Sequence, residues 1–184
     1  KEDPVAVTMD NYGGWQNVFV NVTPKPQEAT FEQTSYIQGV FEDLANTSAA
    51  NNSSIYTGFP SVIDLPSFID FMLINELSAN VDAYALSTFY HKDRNGKLRA
   101  GPIWDSNLTF GNDLFQWDYD RSKTNEWQFD YENIGAKFWK DLYDNDVFRC
   151  YMSKRWQELT QDGAVLGKNN IESIIDNTVD QIFE

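Results

Sequence analysis

Basic residues are scarce in this sequence, and their scarcity excludes several classes of function. Lysine and arginine together number 14, against 28 aspartate and glutamate residues, so the net charge is -14. Binding to nucleic acid needs clustered lysine and arginine side chains that neutralise phosphates, and binding to anionic membrane surfaces needs them too. We therefore expect neither a nucleic-acid partner nor an interaction with anionic membranes.

Cysteine and long apolar runs are also scarce. The single cysteine, Cys150, excludes an internal disulfide, and its place in an apolar helical pattern predicts a buried side chain. No run of about 18 apolar residues occurs, so the sequence predicts no membrane span. A targeting segment is also missing from this sequence.

Two common motifs for binding phosphate or calcium are absent. There is no Gly-x-Gly-x-x-Gly, and Gly13-Gly14 is an isolated pair. An EF-hand loop beginning at Asp105 would need a glycine where Phe110 stands and a bidentate glutamate where Gln116 stands. Any site for a phosphate or a cation must therefore be built in another way.

What the sequence does contain is a clear β-hairpin pattern. Two strand-like runs, at 86–91 and 97–104, flank the turn sequence Asp93-Arg94-Asn95-Gly96. Asn-Gly between two such runs favours a type I′ turn, because both residues tolerate a positive φ. We therefore predict a hairpin that extends from position 86 to position 104.

Two carboxylates flank this hairpin. Asp82 precedes the first strand and Asp105 follows the second. Asn107 comes two residues after Asp105, so in an extended chain both side chains point to the same side. These oxygen atoms predict a small cation site, although Asp105 and Asn107 could instead only stabilise the following turn.

The remaining segments predict helices around the hairpin. A hydrophobic content of 41% in 184 residues fits one domain with a core. We predict an α+β fold that is mainly α-helical with a central β-hairpin, with the apolar helical stripes in the core. The expected elements are a strand at 18–22, a polar loop at 45–54, and helices at 33–44, 65–79, 138–143, 147–159 and 170–182, with N-caps at Thr30, at Asp64 and in the pair Asp144-Asn145.

Three features near the hairpin allow more than one interpretation. Glu76 could support a site, but we favour a solvated helix face. His91 could act near Asp82, but we favour a hydrogen bond to a turn carbonyl. The segment 112–132 mixes aromatic and acidic residues, which is typical both of a platform for a sugar or peptide and of an ordered loop that packs over a core.

The residues around the two carboxylates resemble those of the CotH family of atypical secreted protein kinases, which is named for a bacterial spore-coat protein. The resemblance extends from about 24 to 166 and depends on two runs, Asn80-Val81-Asp82-Ala83-Tyr84 and Gly101-Pro102-Ile103-Trp104-Asp105-Ser106-Asn107-Leu108-Thr109-Phe110-Gly111. It implies a protein-kinase-like large lobe at 27–184, and at 1–26 the end of a missing small lobe and its linker. It also implies a secreted or cell-surface location.

The same resemblance implies roles for individual residues. Asp82 would be the catalytic residue that orients or deprotonates an acceptor hydroxyl. Asp105, with Asn107, would hold Mg²⁺ or Mn²⁺ against the phosphates of ATP, so the implied partners are a nucleotide and a protein substrate. Phosphoryl transfer needs such positioned charges and little covalent chemistry from the protein.

Some parts of a kinase are missing from the sequence. A kinase grips the α- and β-phosphates with a lysine that pairs with a glutamate, yet the only lysines before Asp82 are Lys1 and Lys25. We therefore expect the chain to be nearly inert by itself. The alternative function is a non-catalytic surface module that binds a glycan or protein through 112–132.

Overall fold

The computed structural model describes residues 5–10, 13–14, 16–112, 125–133 and 135–183. This part of the chain is α+β and about half helical. The strands are β1 (Val5–Asp10), β2 (Gln16–Val20), β3 (Thr88–His91) and β4 (Arg99–Ile103). The helices are α1 (Phe31–Ala49), α2 (Phe59–Val62), α3 (Leu65–Leu77), α4 (Phe138–Asp144), α5 (Asp146–Thr160) and α6 (Lys168–Phe183), and 3₁₀ turns occur at Ser106–Leu108 and Gln128–Asn133.

Strands β3 and β4 form the predicted hairpin, but they are shorter than expected. They pair antiparallel, with Tyr90 opposite Ala100. The predicted type I′ turn is wrong, because Asn95 has a φ of 60° while Gly96 is not among the residues with positive φ. The Gly96 N–H donates to the Asp93 carbonyl at 3.0 Å, so the turn is centred one residue earlier, with its one positive φ at Asn95.

A second antiparallel hairpin, β1 with β2, lies at the start of the described chain. The predicted strand at 18–22 corresponds to β2, whereas β1 was not predicted. Val7 and Met9 of β1 are buried, and Phe19 of β2 packs on Phe41 of α1 with ring centroids 5.1 Å apart. This hairpin therefore shares the hydrophobic core with the helices.

Helix α1 begins where the sequence predicts. The Thr30 hydroxyl accepts from the Gln33 N–H at 3.2 Å, and the Gln33 side chain accepts from the Thr30 N–H at 2.9 Å, which forms a capping box. The predicted loop at 45–54 is wrong over its first half, since the helix continues to residue 49. Thr47 and Ser48 donate their hydroxyls to carbonyls one turn earlier, which satisfies these polar side chains inside the helix.

Helix α3 is the centre of the core. The Asp64 carboxylate caps it by accepting from the Ser67 N–H at 3.0 Å, as predicted. Phe68 and Phe71 project from α3 onto Trp139 of α4, whose indole is fully buried and stacks on Phe71 with centroids 5.3 Å apart. Aromatic rings of this size supply much of the buried apolar area in a small core.

The helices α4, α5 and α6 lie close to their predicted positions, but two expectations about burial are wrong. The apolar stripe of α6 is not core, because Ile174, Ile175 and Val179 are each about half exposed. Cys150 is exposed as well, since it lies on the side of α5 away from the buried Phe148. Periodicity identifies an apolar face but does not tell what covers it.

Candidate functional site

Two buried asparagines hold the loop that carries Asp82. Asn75, late in α3, donates its amide to the Phe71 carbonyl at 2.8 Å and accepts from the Asn80 amide at 2.8 Å. The Asn80 side-chain oxygen then accepts from the Asp82 N–H at 3.3 Å. Both asparagines are almost fully buried, so this chain of hydrogen bonds fixes the start of the loop from inside the core.

Asp82 itself is half-buried in the turn that follows α3. Its carbonyl accepts from the Leu86 N–H at 2.8 Å, which closes the turn. Its carboxylate makes no hydrogen bond or ion pair within the described residues. The main chain is therefore held in place while the carboxylate keeps its capacity to accept a proton or a hydrogen bond.

Glu76 meets this loop from α3. Its carboxylate accepts from the Tyr84 hydroxyl at 2.7 Å and from the main-chain N–H groups of Gln128 and Phe129 at 2.7 and 3.1 Å. Burial raises the pKa of the Glu76 carboxyl to about 7, against the opposing effect of these three donors. The favoured prediction, a solvated helix face, is wrong, because two of the three donors come from a segment more than fifty residues away.

Asp105 and Asn107 lie side by side, although the chain between them is not extended. Asp105 has φ 57° and ψ 53° and begins the 3₁₀ turn Ser106–Leu108, but its side chain makes no capping hydrogen bond to that turn. One terminal atom of the Asn107 amide lies 2.9 Å from a carboxylate oxygen of Asp105 and 3.3 Å from its carbonyl oxygen.

The identity of that amide atom decides what the pair can do. If it is the nitrogen, Asn107 donates to the Asp105 carboxylate. If it is the oxygen, three oxygen atoms face one another and repel unless a cation lies between them, so without a cation it is the nitrogen that faces Asp105. Both arrangements are open to Asn107 by rotation of its amide, so a cation could replace the hydrogen bond without movement of the main chain.

The loops of Asp82 and Asp105 are both attached to the C-terminal end of α3. The Phe110 N–H, five residues after Asp105, donates to the carbonyl of Ser78 at 2.6 Å. Ser78 is the C-cap residue of α3 and lies four residues before Asp82.

The described residues contain no group of three or more His, Cys, Asp or Glu side chains that could hold a metal ion.

A cavity of about 700 Å³ lies between β2, α1 and the β3–β4 hairpin. The hairpin segment that lines it lies within 85–102, so Asp82, Asp105 and Asn107 are outside its lining. Its walls include aromatic rings, main-chain groups and one lysine, from Phe19, Val20, Asn21, Val22, Thr23, Pro24, Tyr36, Phe41, Tyr90 and Lys92. The sequence did not reveal it, because its walls come from four separate segments of the chain.

His91 forms part of the same cavity wall. Its Nδ1 lies 3.1 Å from the carbonyl oxygen of Gly101 on the neighbouring strand. The favoured prediction, a hydrogen bond to a carbonyl, therefore agrees with the structure, except that the carbonyl belongs to β4 and not to the turn.

A smaller groove of about 400 Å³ lies between α3, α4 and α5. Its lining is mainly aromatic and aliphatic, from Leu73, Leu77, Trp127, Tyr143, Met152 and Trp156, with Glu76, Arg149 and Ser153 as polar members. Trp127 packs against Tyr143 with the two rings tilted and their centroids 5.0 Å apart. Trp127 belongs to the predicted aromatic-acidic segment 112–132, of which 113–124 lies outside the described residues.

Comparison with known proteins gives one match. The sequence model of the CotH kinase protein family matches residues 8–184, which include the second half of β1 and every later strand and helix in the described part of the chain. No curated protein and no solved structure matches the chain significantly. In the described part of the chain, no helix combines the length and the apolar character needed to cross a membrane.

Proposed function

Because the chain belongs to the CotH kinase family, we propose that it is the larger lobe of an atypical protein kinase. In this proposal it transfers the γ-phosphoryl group of ATP to hydroxyl groups of secreted or surface proteins. The observation that carries the proposal is the exposed Asp105 carboxylate with the Asn107 amide beside it, directly after a hairpin that lines a cavity of nucleotide size. The residues 1–26 then belong to the end of the smaller lobe.

The donor set at Asp105 and Asn107 fits Mg²⁺ or Mn²⁺. Asp105 supplies a carboxylate oxygen, and Asn107 would supply its amide oxygen once the amide rotates out of its hydrogen bond to Asp105. Mg²⁺ in nucleotide sites is bound by one or two such groups together with phosphates and waters. When bound, the ion would neutralise charge on the phosphates. Asp105 is exposed, so its carboxylate can reach a ligand without first breaking a buried contact.

The cavity beside the hairpin has the size and character expected of a nucleotide site. Ligand pockets commonly enclose about 300 to 1,000 Å³ and combine apolar walls with a few polar groups. Here the lining residues Phe19, Phe41 and Tyr90 are aromatic, and Asn21 and Thr23 are polar. Lys92, which also lines the cavity, adds a positive charge.

Asp82 takes the role of the proton acceptor. Its carboxylate accepts a hydrogen bond from the acceptor hydroxyl and takes the proton as the hydroxyl oxygen attacks the γ-phosphorus. The bond between the γ-phosphorus and the bridging oxygen breaks, and ADP leaves with the electron pair. The Asn75–Asn80 hydrogen bonds support this role, because they hold the Asp82 main chain in one position.

The proposal is tested by measuring ATP binding and phosphate transfer on the full-length protein. We expect ATP with Mg²⁺ to raise the melting temperature, since a ligand at a hundred times its Kd stabilises by about 2.7 kcal/mol. Asp105→Asn should abolish the Mg²⁺-dependent part of this shift. Asp82→Asn should keep the shift but lower transfer of labelled phosphate by about a hundredfold or more.

The matched control is Asp93→Asn, which removes an exposed carboxylate from the turn of the same hairpin. It should behave like the unmodified protein. The proposal is contradicted if ATP and Mg²⁺ leave the melting temperature unchanged, or if all three variants transfer phosphate equally.

A second candidate function is binding without catalysis. The groove between α3, α4 and α5 presents Trp127, Tyr143 and Trp156, and aromatic faces of this kind are common where proteins bind sugars or peptides. In this case the titration with ATP fails, whereas Trp127→Ala weakens binding of a glycan or protein ligand.

A further inference from the structure

One largely buried carboxylate joins helix α3 and the loop that follows it to a turn more than fifty residues later. Glu76 belongs to α3, Tyr84 to the loop of Asp82, and Gln128 and Phe129 to the 3₁₀ turn that follows the candidate site. One oxygen of Glu76 accepts from the Tyr84 hydroxyl and the Phe129 N–H, and the other accepts from the Gln128 N–H. The 3₁₀ turn Gln128–Asn133 and the loop that carries Asp82 are therefore hydrogen-bonded to the same side chain.

The main-chain N–H groups make this contact costly to lose. A buried N–H without an acceptor costs about 1 to 3 kcal/mol, and Glu76 serves two of them. Within the described residues Glu76 has no ion pair, so its charge is balanced by these three donors alone. A glutamate on an exposed helix face is solvated by water and does not accept hydrogen bonds from three protein donors.

Tyr84 links Glu76 to the loop that carries Asp82. It lies two residues after Asp82, with a φ of 70° and a side chain that is almost fully buried. Its ring packs edge-on against Trp139 and Phe129, with centroids 5.1 and 6.3 Å away. A Cβ at Gly135 would come within 2.7 Å of the Tyr84 Cβ, so there is no room for the loop to shift in that direction.

We propose that Glu76 is a positioning residue that couples the 3₁₀ turn Gln128–Asn133 to the loop carrying Asp82, so that both adopt their working geometry together. Its carboxylate supplies the acceptors that hold Gln128 and Phe129, and its bond to Tyr84 orients the loop. The consequence for catalysis rests on the proposed function, whereas the coupling itself does not.

The coupling is tested by amide hydrogen exchange, measured residue by residue by NMR. Glu76→Leu removes every acceptor, and we expect the amides of Gln128 and Phe129 to exchange at least about tenfold faster. Glu76→Gln keeps one carbonyl oxygen but places an NH₂ group opposite a remaining donor, so at least one of the two amides should still exchange faster than in the unmodified protein. Glu42→Gln, at an exposed position of α1, is the control and should change neither amide.

Two results would overturn the coupling. One is unchanged exchange of both amides in the Glu76 variants. The other is an equal acceleration at Gln128, at Phe129 and throughout α5, since that pattern reports only loss of global stability. If Glu76→Leu does not fold, Glu76→Gln decides the question by itself.

The catalytic consequence has its own measurement. In phosphate transfer from ATP we expect Glu76→Gln to lower kcat by about tenfold or more, while KM for ATP stays within about twofold, because Asp82 is displaced and the nucleotide cavity is not. Glu76→Asp, which keeps the carboxylate, should recover part of kcat. A change confined to KM contradicts a positioning role. Absence of transfer in the unmodified protein refutes the proposed function, and the exchange experiment still decides the coupling.

Discussion

Replacing Glu76 by glutamine should flatten the dependence of folding stability on pH. The pKa of Glu76 rises from 4.5 to about 7 on folding, mainly because burial disfavours the charged form. The folded state therefore binds this proton more tightly than the unfolded chain does. The resulting contribution to stability is fully present below pH 4.5 and is lost as the pH rises through about 7. A shift of this size corresponds to about 3 kcal/mol.

Urea unfolding at several pH values measures this contribution. Between a pH near 4.5 and a pH near 8, the unmodified protein should lose most of those 3 kcal/mol relative to Glu76→Gln, because groups common to both proteins cancel in the difference. Glu42→Gln, which removes an exposed carboxylate, should follow the unmodified protein. The burial of a charged Glu76 would be refuted if Glu76→Gln and the unmodified protein lost stability in parallel.

Two further predictions concern local features. Thr30→Ala removes the capping box of α1 and should lower the free energy of unfolding by about 1 kcal/mol, whereas Ser35→Ala, at an exposed position in the same helix, should change it by less than about 0.5 kcal/mol. Urea melts measure both, and equal effects would contradict the cap. Cys150 should react completely with a thiol reagent such as DTNB in the folded protein, since it is exposed; reaction only after unfolding would contradict its position.

The positions of most elements followed from signals that act over a few residues. Thr30 with Gln33, and Asp64 with Ser67, satisfy the first N–H groups of their helices, so each start can be found without knowing what packs on it. The Asp93–Gly96 turn was located for the same reason. The type of this turn was not predicted correctly, because moving the centre of the turn by one residue changes which residue takes the positive φ.

The candidate site was predictable only as a pair of neighbours in the chain. Asp105 and Asn107 are two positions apart, and their side chains do meet. Glu76 was misjudged because the Gln128 and Phe129 N–H groups that it binds lie more than fifty residues away. The cavity beside the hairpin was missed for the same reason, since no local pattern records which distant segments will face each other.

The sequence by itself determined where most of the longer helices begin, the acidic charge and the family to which the chain belongs, because these depend on residue identity and short-range hydrogen bonding. Tertiary structure alone decided which faces are covered and which polar groups are buried. It left the apolar face of α6 and the Cys150 thiol exposed, and it buried the Glu76 carboxylate among donors from two other segments. Burial and solvation are set by what packs against a residue, and that is settled only when the whole chain has folded.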